Sequence, residues 1–172
     1  MDSKELLADA FSRIQEAVNT AIGGLTLQQV AYRPDPDANS IAWLVWHLTR
    51  TQDDHVSEIA GHEQEWVTGG WNTRFGTDPD RSNTGFGHTS AQVAGVVPDA
   101  VETLGDYHEV VFRRTLDYLI DVDPTELDRI IDRSYDPPVS VGVRLVSVIN
   151  DNTQHAGQAR YLRGMVDRLA GS

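Results

Sequence analysis

Apolar residues recur at helical spacing along most of the chain. Between Ser3 and Ile22, the positions Leu6, Leu7, Ala10, Phe11, Ile14, Ala17, Val18 and Ala21 fall on one stripe. They predict a first helix with Ser3 as its cap and Gly23-Gly24 as its stop. Leu25 to Tyr32 adds at most a short helical turn, and Pro34-Asp35-Pro36-Asp37 is a connector, because each proline biases its predecessor away from helix. A second helix begins after Asn39 or Ser40 and runs to Ala60 or Gly61. Its stripe of Ile41, Leu44, Val45, Leu48, Gln52, His55, Val56 and Ile59 is broadened by Trp43, Trp46 and His47, so its first half is apolar on more than one side and predicts several packed neighbours.

The pattern then breaks. Trp66 to His88 is rich in Gly, Asp, Asn and Thr with aromatics set among them. Loops of that length inside compact domains are often functional, which suggests a lid over a pocket; a surface loop pinned by its aromatics fits as well. Ser90 to Val97 reads as a short helix. A third long helix is expected from Pro98 at its first position to about Ile120, with Val101, Leu104, Tyr107, His108, Val111, Phe112, Leu116 and Leu119 on its buried face. Thr125 to Leu127 suggests one more turn, Ile130 to Tyr135 is a short strand or irregular, and Pro137-Pro138 demands an extended approach to the next element. Ser140 then caps a fourth long helix that ends near Ala170-Gly171; Gly142, Gly157 and Gly164 within it cost about 1 kcal/mol each relative to alanine and imply close helix approach. The expected fold is all-α: one four-helix bundle domain spanning residues 1–172, with short extra helices and a long aromatic loop between the second and third long helices.

Composition narrows the partners. The net charge is −12 over 172 residues, a surface that repels phosphate backbones and anionic lipid, so neither nucleic acid nor membrane is an expected partner. No apolar run nears a membrane span, and the polar start Met1-Asp2-Ser3-Lys4-Glu5 does not resemble a signal peptide, so a cytoplasmic location is expected. Of fourteen basic residues only Lys4 is lysine, a bias expected of a GC-rich bacterial genome. There is no cysteine: disulfides, thiolate metal sites and a protein thiol nucleophile are excluded, and any thiol must arrive with a cosubstrate.

Candidate chemistry gathers on the second and fourth helices. Asp151 and His155 stand four residues apart at the end of the run Val143 to Ile149, so they share a helix face. They suit either two metal ligands or a buried Asp–His hydrogen bond. His47, inside Trp43-Leu44-Val45-Trp46-His47-Leu48, is either a satisfied core histidine or a third ligand. Two histidines and one carboxylate make a three-ligand site with positions left open for water or substrate. Asp54 is nearly in line with His47, about 20° short of two turns further on, and is either a support for a ligand or a solvated charge. His55 is the rival ligand. Gln158 lies about one turn beyond His155, and Arg160 and Arg163 follow as binders of an anionic substrate or as partners for the many acids. Trp71, Arg74 and Arg160 are the candidate lining of a substrate or thiol pocket. His62, His88 and His108 read as surface or structural residues.

Three stretches carry a resemblance to a known family: Ser40-Ile41-Ala42-Trp43-Leu44-Val45-Trp46-His47-Leu48, Asp151-Asn152-Thr153-Gln154-His155-Ala156-Gly157-Gln158 and Tyr161-Leu162-Arg163-Gly164. Together they resemble the DinB-like superfamily of bacterial four-helix metal-binding proteins, several of which are linked to low-molecular-weight thiols such as mycothiol or bacillithiol. The resemblance spans nearly the whole chain. It implies one histidine ligand from the second helix, His47, and a pair spaced by four from the last. Many members have His-x-x-x-His there; Asp151 departs from that pattern and is similar to the mycothiol-dependent maleylpyruvate isomerase branch, which has an acidic residue before the final histidine. The implied ligand set is His47, Asp151 and His155 around a divalent metal, zinc first, with nickel, iron or manganese as alternatives.

The expected activity is a metal-dependent thiol S-transferase or isomerase acting on a small molecule with mycothiol or a similar thiol as cosubstrate, supported by Asp54, Gln158 and Arg160. A metal-dependent hydrolase and a non-enzymatic metal- or ligand-binding stress protein are the alternatives. A homodimer is the commonest assembly for such a chain.

Overall fold

The structure, a computed structural model, describes residues 1–171. Its elements are helix α1 (Ser3–Ile22), the short α2 (Leu27–Val30), α3 (Ile41–Ala60), the single turns α4 (Glu65–Thr68) and α5 (Trp71–Arg74), α6 (Ser90–Ala94) and α7 (Val101–Asp121). A 3-10 turn (Pro124–Asp128), strand β1 (Ile130–Asp132), strand β2 (Val139–Ser140) and helix α8 (Val141–Ala170) complete the chain. The four long helices form the expected all-α bundle. Each packs on two neighbours, giving the cyclic order α1–α7–α3–α8, with α3 and α8 the most extensively packed pair. Phe11, Ile14, Val18, Leu44, Val45, Leu48, Leu104, Val111, Leu145 and Val148 are among the residues that fill one continuous core. The stripe of each helix predicts this, since each must bury its apolar face against another.

Helix boundaries follow local chemistry. Ser40 and Ser140 cap α3 and α8 through Oγ, accepting the backbone N–H of Trp43 at 3.0 Å and of Val143 at 3.3 Å. The cap of α1 is Asp2 rather than Ser3, because its carboxylate and that of Glu5 form a reciprocal capping box. Helix α7 starts at Val101, three residues later than Pro98 suggests. The Asp99 N–H donates to the Arg74 carbonyl at 2.8 Å and the Asp99 carboxylate takes Thr103 Oγ1, so this segment is tied to α5 before the helix begins. Ile130–Asp132 is a strand, paired antiparallel with Val139–Ser140. Close approach explains one helical glycine of three. A Cβ on Gly142 would lie 3.1 Å from the Leu127 carbonyl, whereas Gly157 faces open space and Gly164 meets only the Arg168 side chain.

The polar residues inside the bundle are the unusual feature. Arg50 and Asp53 on α3 are 0% and 2% exposed. Asp53 accepts the backbone N–H groups of Glu65 and Trp66 at 2.9 and 2.8 Å and the Tyr107 hydroxyl at 2.7 Å. Arg50 donates to Gln64 Oε1 and to the carbonyls of Arg81 and Asn83 at 2.8–3.1 Å, and its guanidinium lies over the Trp66 ring. The 66–88 loop is therefore anchored at several points by buried groups of α3.

His108 is structural and fully buried, not a surface residue. Thr49 Oγ1 gives its proton to the Val45 carbonyl, so His108 Nδ1–H donates to Thr49 at 3.1 Å and Nε2 stays unprotonated. Burial lowers its pKa to about 4. The unfolded chain binds this proton near pH 6.5 and the folded chain only near 4, so stability is expected to fall between those values as pH drops, by roughly 3 kcal/mol. Urea unfolding across that range should show the slope, and His108→Gln should flatten it.

Candidate metal centre

His47 comes from the first half of α3, Asp151 and His155 from the middle of α8, and the α3–α8 contact brings them together. One donor atom from each falls within 4.8 Å of the others. His47 Nε2 lies 3.8 Å from Asp151 Oδ2, and His155 Nε2 lies 3.5 Å from Asp151 Oδ1. A tetrahedral ion with arms of about 2.0–2.1 Å needs ligand separations of about 3.3–3.4 Å, so a small inward movement would close the set.

The tautomers suit that role. His47 Nδ1 faces the Thr84 carbonyl at 2.5 Å, so it carries the hydrogen, and Nε2 keeps its lone pair toward Asp151. His155 Nδ1 faces Gln158 Oε1 at 3.3 Å, which again turns Nε2 to the centre. Trp43 stacks on His47 with ring centroids 4.6 Å apart and meets His155 edge-on, which holds both rings. Asp151 Oδ2 is buried with no hydrogen-bond partner among the described residues. A buried orphan carboxylate oxygen is costly, and a cation between it and the two imidazoles would satisfy it; the donor set fits a divalent metal.

Charge follows the same geometry. Burial lowers the His47 pKa, against the Thr84 carbonyl, which raises it. Pairing with Asp151 raises that of His155, and pairing with His155 lowers that of Asp151. Proton and metal compete for His155, so metal loading is expected to weaken as pH falls through its raised pKa.

Gly85 sets the roof. Its φ is +94°, and a Cβ there would lie 2.7 Å from the Trp46 ring and 3.2 Å from His47 Nδ1. Only glycine lets the backbone pass this close in this conformation. Gly85→Ala is expected to displace the Thr84 carbonyl from His47 and weaken metal binding about 10–100-fold, the usual cost of losing an orienting partner; calorimetric zinc titration checks it. Below the roof lies a cavity of about 320 Å³ lined by His47, Thr51, His55, Thr84, Phe86, Ser147, Val148 and Asp151.

Other residues named from the sequence fall differently. Gln158 sits at His155. His55 lines the cavity but stands outside the ligand cluster: Arg144 Nη1 lies 2.9 Å from its Nδ1. Asp54 does not support His47. It takes Gln64 Nε2 at 2.6 Å and lies 3.7 Å from His55, because seven helical steps carry it nearly two turns down α3. Trp71, Arg74 and Arg160 do not line the cavity. Trp71 packs on Tyr107 and under Arg74, Arg74 pairs with Asp99 and Asp106, and Arg160 lies in a groove with Arg13 and Ala17 of α1. Arg160 follows His155 by five residues, about 140° further round the helix, which turns it toward α1. Arg163 binds the Thr20 and Gly23 carbonyls and Asp167. The Thr84 carbonyl and Arg144 are not legible as site residues in the sequence: a backbone carbonyl leaves no residue signature, and Gly85-Phe86-Gly87 is the only trace of a tight crossing.

A four-helix bundle with a His/Asp/His cluster between its second and last long helices is an architecture of the DinB-like class. The chain belongs to the mycothiol-S-transferase family, whose model matches residues 6–168. It is also similar to the crystal structure of a conserved protein from Enterococcus faecalis, at 30% sequence identity and a TM-score of 0.89, over 96% of this chain and 98% of that one. No curated protein matches the sequence. Among the described residues, no helix is long and apolar enough to cross a membrane.

Proposed function

We propose that the protein is a metal-dependent S-transferase that joins a low-molecular-weight thiol, of the mycothiol type, to a small electrophile. The observation that carries this reading is the orientation of His47, Asp151 and His155, with both imidazole Nε2 atoms turned toward one carboxylate whose second oxygen is a buried orphan. His47, Asp151 and His155 would hold a divalent ion, zinc first, with nickel, iron or manganese as alternatives that the same donor set accepts. Such an ion depresses the pKa of a bound thiol and yields a thiolate nucleophile at neutral pH. Thr84 and Gln158 keep the two Nε2 lone pairs in place, and Trp43 stacks on the His47 ring and holds it. The absence of cysteine fits a thiol supplied from outside. Family membership supports the thiol chemistry.

The test is metal analysis of untagged protein followed by assay of thiols with chlorodinitrobenzene. A stoichiometric divalent metal and metal-dependent conjugation are expected. A protein that binds metal but turns over no thiol would favour a non-enzymatic binding role, and one that binds no metal would overturn the proposal.

A further inference from the structure

The cavity at the metal centre extends well beyond it. His47, Thr51 and His55 recur every four residues on α3, and Ser147, Val148 and Asp151 face them from α8. His47 and His55 are about 12 Å apart along the helix axis, so the cavity has two ends. The far end is His55. A guanidinium donates hydrogen bonds and accepts none, so the Arg144 contact at 2.9 Å makes His55 Nδ1 the acceptor and leaves the ring hydrogen on Nε2. No described residue accepts that Nε2–H, and the His55 side chain is 30% exposed within the cavity wall. Burial and then Arg144 lower its pKa, which keeps the ring neutral. The surrounding charge is not cationic. Asp54 lies 3.7 Å from His55, and Glu58 and Asp132 lie 3.9 and 3.7 Å from Arg144, so two carboxylates face the guanidinium and a third faces the ring.

We propose that His55 is a ligand-recognition residue: its Nε2–H, fixed by Arg144, donates to a neutral oxygen, an amide carbonyl or hydroxyl, of the small molecule whose thiol lies at the metal centre. An anionic oxygen is disfavoured by the three carboxylates. The Thr51 hydroxyl, one turn along α3 toward His47, adds a second polar contact to the same wall. Arg144 is a positioning residue that acts through His55. The inference rests on the thiol reading of the site.

The test uses cobalt-loaded protein and the thiolate-to-cobalt absorption band, titrated with hexanethiol, mercaptohexanol and mercaptohexanoate. Wild type should bind mercaptohexanol about 3–10-fold tighter than hexanethiol, the range one hydrogen bond supplies, and mercaptohexanoate less tightly than mercaptohexanol. The preference for mercaptohexanol should vanish in His55→Phe, survive in His55→Gln, which keeps an N–H donor, and shrink in Arg144→Met. Cobalt affinity of each variant reports an intact metal centre. Equal binding of hexanethiol and mercaptohexanol by wild type, or the wild-type preference in His55→Phe, overturns this proposal alone. Tightest binding of mercaptohexanoate overturns the neutral-acceptor assignment. No thiolate band with any of the three overturns the thiol reading and this proposal together.

Discussion

Alanine at His47 or at His155 is expected to abolish metal binding. Each removal takes one of only two imidazole donors and leaves a site with a single nitrogen and a carboxylate. The loss should exceed the roughly 10–100-fold that an orienting residue costs. Asp151→Ala should also lose metal, whereas Asp151→His, which restores the pattern common among DinB-like proteins, should retain it. Asp54→Ala should leave metal affinity unchanged, since Asp54 is engaged with Gln64 and lies at the His55 end of α3. His55→Ala is the sharpest control, because His55 lines the same cavity with its Nδ1 committed to Arg144. Zinc titration followed by calorimetry separates these outcomes. Retained binding in His47→Ala, or loss in His55→Ala, would mean that the ligand set is different. Circular dichroism of each apo variant controls for folding, since His47 is 7% exposed and packs against Trp43.

Asp53→Ala is expected to be the most destabilising single change outside the apolar core. It strips the acceptor from two backbone N–H groups in the first turn of α4 and from the Tyr107 hydroxyl. It also leaves Arg50, fully buried 3.5 Å away, without its nearest carboxylate. Removing one partner from a buried charge pair costs about 3–5 kcal/mol, because the remaining charge is uncompensated. Urea unfolding measures this directly. Asp53→Asn should cost less than Asp53→Ala, because its amide oxygen can still accept one of these donors. A loss within about 0.5 kcal/mol, the range of ordinary surface substitutions, would show that the network carries no stability. The effect should reach the metal centre as well. Arg50 holds the carbonyls of Arg81 and Asn83, and Asn83 lies next to the Thr84 that orients His47, so loosening Arg50 loosens the roof.

The metal centre is partly legible in the sequence. Asp151 and His155 share a face by helical period alone, and the Trp-rich setting marks His47 as unusual. The family resemblance joins the two helices. The pocket is not legible in the same way. Trp71, Arg74 and Arg160 suit the lining of a substrate or thiol pocket by residue type, yet each is turned to other partners. Trp71 and Arg74 sit on a short turn that docks on α7, and Arg160 is rotated toward α1. Asp53 does not stand out beside Asp54, because adjacent helical residues differ by about 100° in direction, and the pattern does not say which of two neighbouring carboxylates faces inward. The long loop is recognisably irregular, but its anchoring by Arg50, Asp53 and His47 depends on contacts thirty or more residues apart in sequence for Arg81, Asn83 and Thr84.

By itself the sequence determined the four long helices, their caps to within a residue or so at most ends, the all-α bundle and the face that Asp151 shares with His155. These are consequences of local period, glycine and proline placement, and side-chain-to-backbone capping, all of which act within about one helical turn. Only the tertiary structure decided which tautomer each histidine presents, which arginines and aromatics stand away from the site, and that His55 faces the same cavity as His47. Those properties depend on rotations of whole helices about their axes and on a backbone carbonyl delivered from a distant loop, and neither is encoded in the spacing of residues along the chain.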